Sequence, residues 1–232
     1  MDYTLDNFKI EILNKNAYWD YRSACKTTQG LILDPSDYCM DHDYKKCTCQ
    51  DSNDKDKSRC VVKECPMNIY HTPSDWNKYW RKQLIAMHST IRMIHFTITD
   101  MIPRSVAMQL VRHTSFSPQP YVQSSRPDWT GKPRSSDPHE PKWCKFIYTP
   151  ESFLWMTHKR LCMRTEDNTR YIVNQWVKYL REFNHMPGFE QCDSISDMAL
   201  IMEMGNLAVP NCEVNGLNKC IELSPCGKYE HA

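Results

Sequence analysis

Glycine is scarce in this chain, six in 232 residues, and no two stand close enough to build the Gly-rich loop that cradles phosphate in many nucleotide-binding folds. An excess of either charge is also lacking: 29 Lys and Arg face 28 Asp and Glu, a formal net charge of +1. Without a global field, general recruitment of nucleic acid is not expected, and any anion binding has to come from local clusters. No apolar run approaches the roughly 20 residues needed to cross a bilayer, so no membrane partner is expected. The opening residues, Met1 to Asp6, lack the basic region and apolar stretch of a secretory signal, which points to a cytoplasmic protein, in the host cytoplasm for a viral chain. Internal repeats and coiled-coil heptads are missing as well.

With 41% hydrophobic residues, the chain can bury a substantial core as one domain over 1–232. Its pattern alternates between helices and strands. Phe8 to Leu13 alternates like a half-buried strand, and Tyr18 to Cys25 suits a short helix. Pro73-Ser74 starts a helix bearing Trp76, Tyr79, Trp80 and Gln83, and Ile91 to Thr99 is predicted as a strand. Pro103 opens the next helix, striped by Val106, Leu110 and Val111. Residues 114–143, with six prolines and almost no periodicity, read as a long functional loop. Thr149-Pro150-Glu151 begins a helix running through Arg160. Another starts at Thr165, and a last one is capped by Asp193 or Ser194 and closed by Gly205.

Twelve cysteines in a chain without a secretory signal read as thiols or metal ligands rather than disulfides. Residues 34–72 form a polar, Cys-rich excursion within the domain, rich in Asp and Lys and poor in aliphatics. Cys39, Cys47, Cys49, Cys60 and Cys65, with His42 and His71 nearby, supply enough ligands for a tetrahedral zinc site that would order the segment; unpaired thiols are the alternative. Cys212, Cys220 and Cys226 are a sparser set in a Gly- and Pro-punctuated tail.

The densest chemical signal is Gln109-Leu110-Val111-Arg112-His113 followed by Ser124-Ser125-Arg126. A guanidinium grips phosphate bidentately, and serine adds a short hydroxyl donor. Ahead of it stand His88-Ser89-Thr90-Ile91-Arg92 and Ile102-Pro103-Arg104-Ser105; behind it come His158-Lys159-Arg160-Leu161-Cys162 and the tail from Val209-Pro210-Asn211-Cys212 to Pro225-Cys226-Gly227. In order and spacing these segments resemble those of divergent, phage-like flavin-dependent thymidylate synthases, over roughly residues 73–232. Thr114 stands where the family has a second arginine, the gap to Ser124 is about two residues longer, and no Asn-x-Arg element precedes Arg160.

This resemblance implies an α+β fold, an antiparallel sheet packed with helices, assembled as a homotetramer whose subunits share each site. It implies methylation of dUMP to dTMP, with FAD as cofactor and NADPH and methylenetetrahydrofolate as co-substrates. His88, Ser89, Arg112 and His113 would meet FAD; Gln109, Arg112, Ser124, Ser125 and Arg126 would hold the nucleotide. Arg160 would stabilise negative charge on the pyrimidine ring, the role that positioned donors fill well.

Plainer readings compete. Arg112-His113 at a helix end also suits simple compensation of the helix dipole. Ser124 and Arg126 could cap a turn, and Arg160 beside Lys159 and Arg164 could belong to a solvated face. His95, on the expected strand, reads as structural. The departures from the family leave room for another pyrimidine nucleotide, or for hydroxymethyl in place of methyl transfer. A non-enzymatic, zinc-stabilised binding module is the alternative of a different class; its expected basic, aromatic stripe is missing.

Overall fold

The computed structural model describes residues 3–14, 17–31, 73–87, 89–112, 120–123, 137–185, 194–221 and 226–230. The Cys-rich excursion with its five candidate ligands lies outside them. The described chain is α+β. Its elements are β1 (Lys9–Ile12), α1 (Ala17–Thr28), α2 (Pro73–Ala86), β2 (Phe96–Pro103), α3 (Arg104–Val111), β3 (Tyr121–Val122), β4 (Pro141–Tyr148), α4 (Pro150–Arg160), α5 (Asp167–Arg181) and α6 (Ile195–Leu207).

Four strands form one antiparallel sheet in the order β1-β2-β4-β3. Its spine is the β2–β4 pair, in register from Phe96 opposite Tyr148 to Pro103 opposite Pro141. Successive side chains of a strand point to opposite faces. One face therefore gathers Phe96, Ile98 and Ile102 with Cys144, Phe146 and Tyr148, all buried, and the helices cover it. Trp176 of α5 is central, its ring 5.8 Å from Phe8 and 5.9 Å from Phe146.

Behind α5 stands a second helical group of α1, α2 and α6. The Trp80 indole on α2 donates to Ser196 Oγ on α6 at 3.1 Å. Tyr18, Trp76 and Tyr79 meet edge-on or tilted beside it. Gly205 lies inside α6 rather than closing it. A Cβ there would come within 2.7 Å of the Arg181 backbone nitrogen on α5, so glycine is what lets these two helices approach. Arg181 in turn donates to the carbonyls of Gly205 and Ala208, satisfying groups that a helix end leaves open.

Two further expectations are corrected. Ile91 to Thr99 does not form one strand: Ser89–Met93 is a 3-10 turn and β2 begins at Phe96. The cause is Asn14, which accepts from the His95 backbone N–H at 2.7 Å and donates to the Met93 carbonyl at 3.0 Å. Those groups are thereby diverted from a ladder, while Ile91 and Ile94 turn inward together. The expected 114–143 loop contains β3 and the first residues of β4. The alternation of β4 is disguised at its start, because Lys142 is buried, paired with Glu140, while Trp143 points outward.

Other starts agree with the sequence. Thr149 caps α4 in a reciprocal box with Ser152, with Pro150 in the first turn. Ser194 caps α6. At α5 the cap is Glu166, accepting from the Asn168 and Thr169 amides.

Candidate functional site

The C-terminal ends of α3 and α4 meet. The α3 helix is short, begins straight out of β2 after Pro103, and ends with Arg112 at its C-cap. It is held by Val106, Ala107 and Leu110 in the core, which leaves Gln109 half-buried and Arg112 exposed. The α4 helix buries Phe153, Leu154, Met156 and Thr157 and delivers Arg160 as its last residue. Cationic side chains are favoured at helix C-termini. Here two such ends carry two full positive charges against roughly half a negative charge each, leaving a net positive spot.

Arg160 reaches from α4 to α3. Its Nη2 donates to the Gln109 carbonyl at 2.9 Å and its Nη1 to Gln109 Oε1 at 3.3 Å. Its Nε is buried and finds no partner among the described residues. Burial first, and the nearby charge of Arg112 second, push the Arg160 guanidinium below its ordinary value; it stays protonated at biological pH. Among the described residues no carboxylate pairs with Arg160. With its Oε1 engaged, Gln109 still has an amide NH2 that donates to no described residue.

The chemistry of this group is that of an anion site. A guanidinium has five N–H donors; two face Gln109, and the remaining three, the buried Nε–H included, meet no acceptor among the described residues. The solvated-face reading of Arg160 does not fit a half-buried side chain that bridges two helices.

Of the residues expected from sequence, Gln109, Arg112 and Arg160 are brought together. Ser89 is not among them. It opens the 3-10 turn and is exposed. Three residues on, Arg92 pairs with Glu151 in the first turn of α4, whereas Arg160 lies in the last turn, roughly 13 Å further along the helix axis. His88, His113, Ser124, Ser125 and Arg126 lie outside the described residues, as do Cys39, Cys47, Cys49, Cys60 and Cys65.

Neighbouring groups have quieter roles. His158 touches the Leu207 carbonyl at 3.3 Å, and burial lowers its pKa, so it is a neutral bracket between α4 and α6. Cys144 on β4 is pushed up to about 12 by burial and by Asp100, which unsuits it for thiolate attack. His95 serves through its backbone, as expected of a structural residue. Sequence reasoning missed Cys162 as a member of the tail cysteine group. It lines the same cavity as Cys212, Cys220 and Cys226, and the signal was only its closeness in sequence to Arg160. No helix among the described residues is long and apolar enough to cross a membrane. Comparison with protein-family models, with curated proteins and with solved structures finds no match.

Proposed function

We propose that the chain is a flavin-dependent enzyme of pyrimidine nucleotide metabolism, methylating dUMP to dTMP, and that Arg160 is its substrate-activating residue. The observation behind this reading is the meeting of Arg160, Gln109 and Arg112 at the joined ends of α3 and α4, with donors unspent and no carboxylate partner among the described residues. That set suits a group carrying both a phosphate and an anionic, planar ring.

C5 of uracil is a poor nucleophile until negative charge can develop across the ring. The Arg160 guanidinium, held from behind by Gln109, would face the ring oxygen and nitrogen that take up this charge; donors fixed in advance do this without reorganising during reaction. Gln109 would fix the orientation of Arg160 and offer its amide NH2 to the nucleotide. Arg112 would bridge nucleotide and cofactor phosphates, with Ser124, Ser125 and Arg126 closing over the substrate phosphate. His88, Ser89 and His113 would hold FAD. Ser89 stands away from the arginines, which suits a homotetramer in which each site draws on more than one subunit. When bound, the flavin would accept a hydride from NADPH and return reducing power to the one-carbon unit delivered by methylenetetrahydrofolate.

The test is direct. Purified protein incubated with FAD and passed through a desalting column should retain a band near about 450 nm, bleached by NADPH and restored on adding methylenetetrahydrofolate and dUMP, with dTMP as product. Protein that retains no flavin at micromolar FAD, or forms no dTMP once flavin is bound, overturns the assignment.

A further inference from the structure

Four cysteines from two separate parts of the chain line one cavity of about 230 Å3: Cys162 in the loop after α4, and Cys212, Cys220 and Cys226 in the tail. None is in a disulfide. We propose that this cavity is a structural zinc site whose four ligands are these thiolates. It is separate from the Cys-rich excursion and independent of the nucleotide reading.

The first argument is the ligand set. Four thiolates in tetrahedral array make a closed structural site, a common form for zinc. Here one ligand comes from the body of the fold and three from the segment that needs attaching.

The second argument is anchoring. The Cys162 loop is pinned where Thr165 N–H donates to the Cys162 carbonyl at 2.9 Å and Arg170 Nη1 to the Met163 carbonyl at 2.9 Å. Cys212 sits in the 3-10 helix Asn211–Gly216. The Cys220 N–H donates to the Glu230 carbonyl at 2.8 Å, which closes a loop and returns Cys226 to the cavity.

The third argument is energetic. The tail has almost no core of its own. Asn211–Gly216 buries no residue, Leu217 and Ile221 are 44% and 49% exposed, and Cys220 is buried. A segment that cannot bury apolar surface needs another source of order, and metal ligation supplies one.

Electrostatics agree. Zinc with four thiolates carries a net charge of −2. Arg170 and Lys228 line the same cavity, although each also pairs with a carboxylate, Asp167 and Glu213. Binding is a ligand exchange without redox: each thiol gives its proton to solvent as its sulfur bonds to the metal.

Among the described residues no three His, Cys, Asp or Glu side chains are already gathered round a point. Binding therefore contracts the cavity, bringing the sulfurs to roughly 3.8 Å from one another, as Zn–S bonds of about 2.3 Å require. The tail turns at Asn215, Asn218 and Gly227, all at positive φ, and contraction involves these turns rather than the helical body.

The experiment is metal analysis of the full chain purified without chelator. Cys212→Ser and Cys226→Ser should each lose about one zinc per chain relative to wild type, and Cys25→Ser should lose none. A chain with Cys39, Cys47, Cys49, Cys60 and Cys65 all changed to Ser should keep that equivalent, which separates this site from any metal in the excursion. If the serine variants fail to fold, cobalt titration of the chelator-stripped chain with Cys39, Cys47, Cys49, Cys60 and Cys65 changed to Ser reads the same site. A tetrahedral four-thiolate spectrum, with strong sulfur-to-cobalt charge transfer, is expected. Zinc content unchanged in Cys212→Ser and Cys226→Ser, or a cobalt spectrum without thiolate charge transfer, overturns the proposal.

Discussion

The Trp176 indole N–H donates to Asp100 Oδ2 at 2.7 Å beneath the sheet. Asp100 sits on the inward face of β2 with no exposed surface, and it also accepts from the Tyr3 hydroxyl and the Met101 N–H. One buried carboxylate thus ties the N-terminal segment, the sheet and α5 together. Burial raises its pKa against the lowering effect of these donors.

Asp100→Ala should destabilise the protein by about 2–4 kcal/mol, because it strands the part-buried Tyr3 hydroxyl donor and the Met101 side of the network and leaves the Trp176 N–H only its 3.0 Å bond to the Tyr3 oxygen. Urea unfolding followed by tryptophan fluorescence measures this. A change below about 0.5 kcal/mol would mean that water replaces the carboxylate and the network contributes little.

Gly205→Ala sets two effects against each other. Alanine gains up to about 1 kcal/mol in helix propensity, but its Cβ would press on the Arg181 backbone nitrogen at 2.7 Å and on Leu180. Backbone cannot swing aside as a side chain can, so overpacking should win by about 1–3 kcal/mol net. A lowered thermal midpoint is expected; a raised one would show that α5 and α6 can separate without cost.

Asp197, in the first turn of α6, has its pKa pushed up to about 7 by burial and by the neighbouring Asp20. The unfolded value is near about 3.9, so the folded state holds its proton more tightly. The resulting stability is fully present below the unfolded value and is lost as pH rises towards and through about 7. Asp197→Asn should flatten the fall in melting temperature across that window. Equal slopes in wild type and variant would refute this assignment.

Arg160→Lys keeps the charge but not the planar fork that bridges to Gln109. Reduction of bound flavin by NADPH should persist, since that step does not involve the pyrimidine. Transfer of the one-carbon unit should fall by about 10²–10³. The two half-reactions, timed separately by stopped flow and by single-turnover product analysis, distinguish this from a structural role, which would slow both.

Much of this architecture is written locally. Thr149, Pro150 and Ser152 begin α4 by capping chemistry that operates within four residues, and Ser194 does the same for α6. The apolar stripe of α5, with Ile172, Val173, Trp176, Val177 and Leu180 buried, is legible because helical period and burial coincide. Local rules misread the chain where a distant group intervened. Asn14 sets the start of β2 from 81 residues away through His95, and Glu140 lets Lys142 lie buried at the start of β4. Gly205 reads as a helix terminator until α5 is known to press against it.

The candidate site divides along the same line. Sequence alone determined that Gln109, Arg112 and Arg160 are donors at helix ends, because residue type and helical period are properties of the chain. Only the tertiary structure decided that the ends of α3 and α4 meet, so that Arg160 turns inward to Gln109 instead of outward to water. It likewise put Cys162 on the cavity that the tail cysteines line. Both are contacts between segments some 50 residues apart, set by which faces the sheet and α5 bury, and helical or strand periodicity carries no record of such partners.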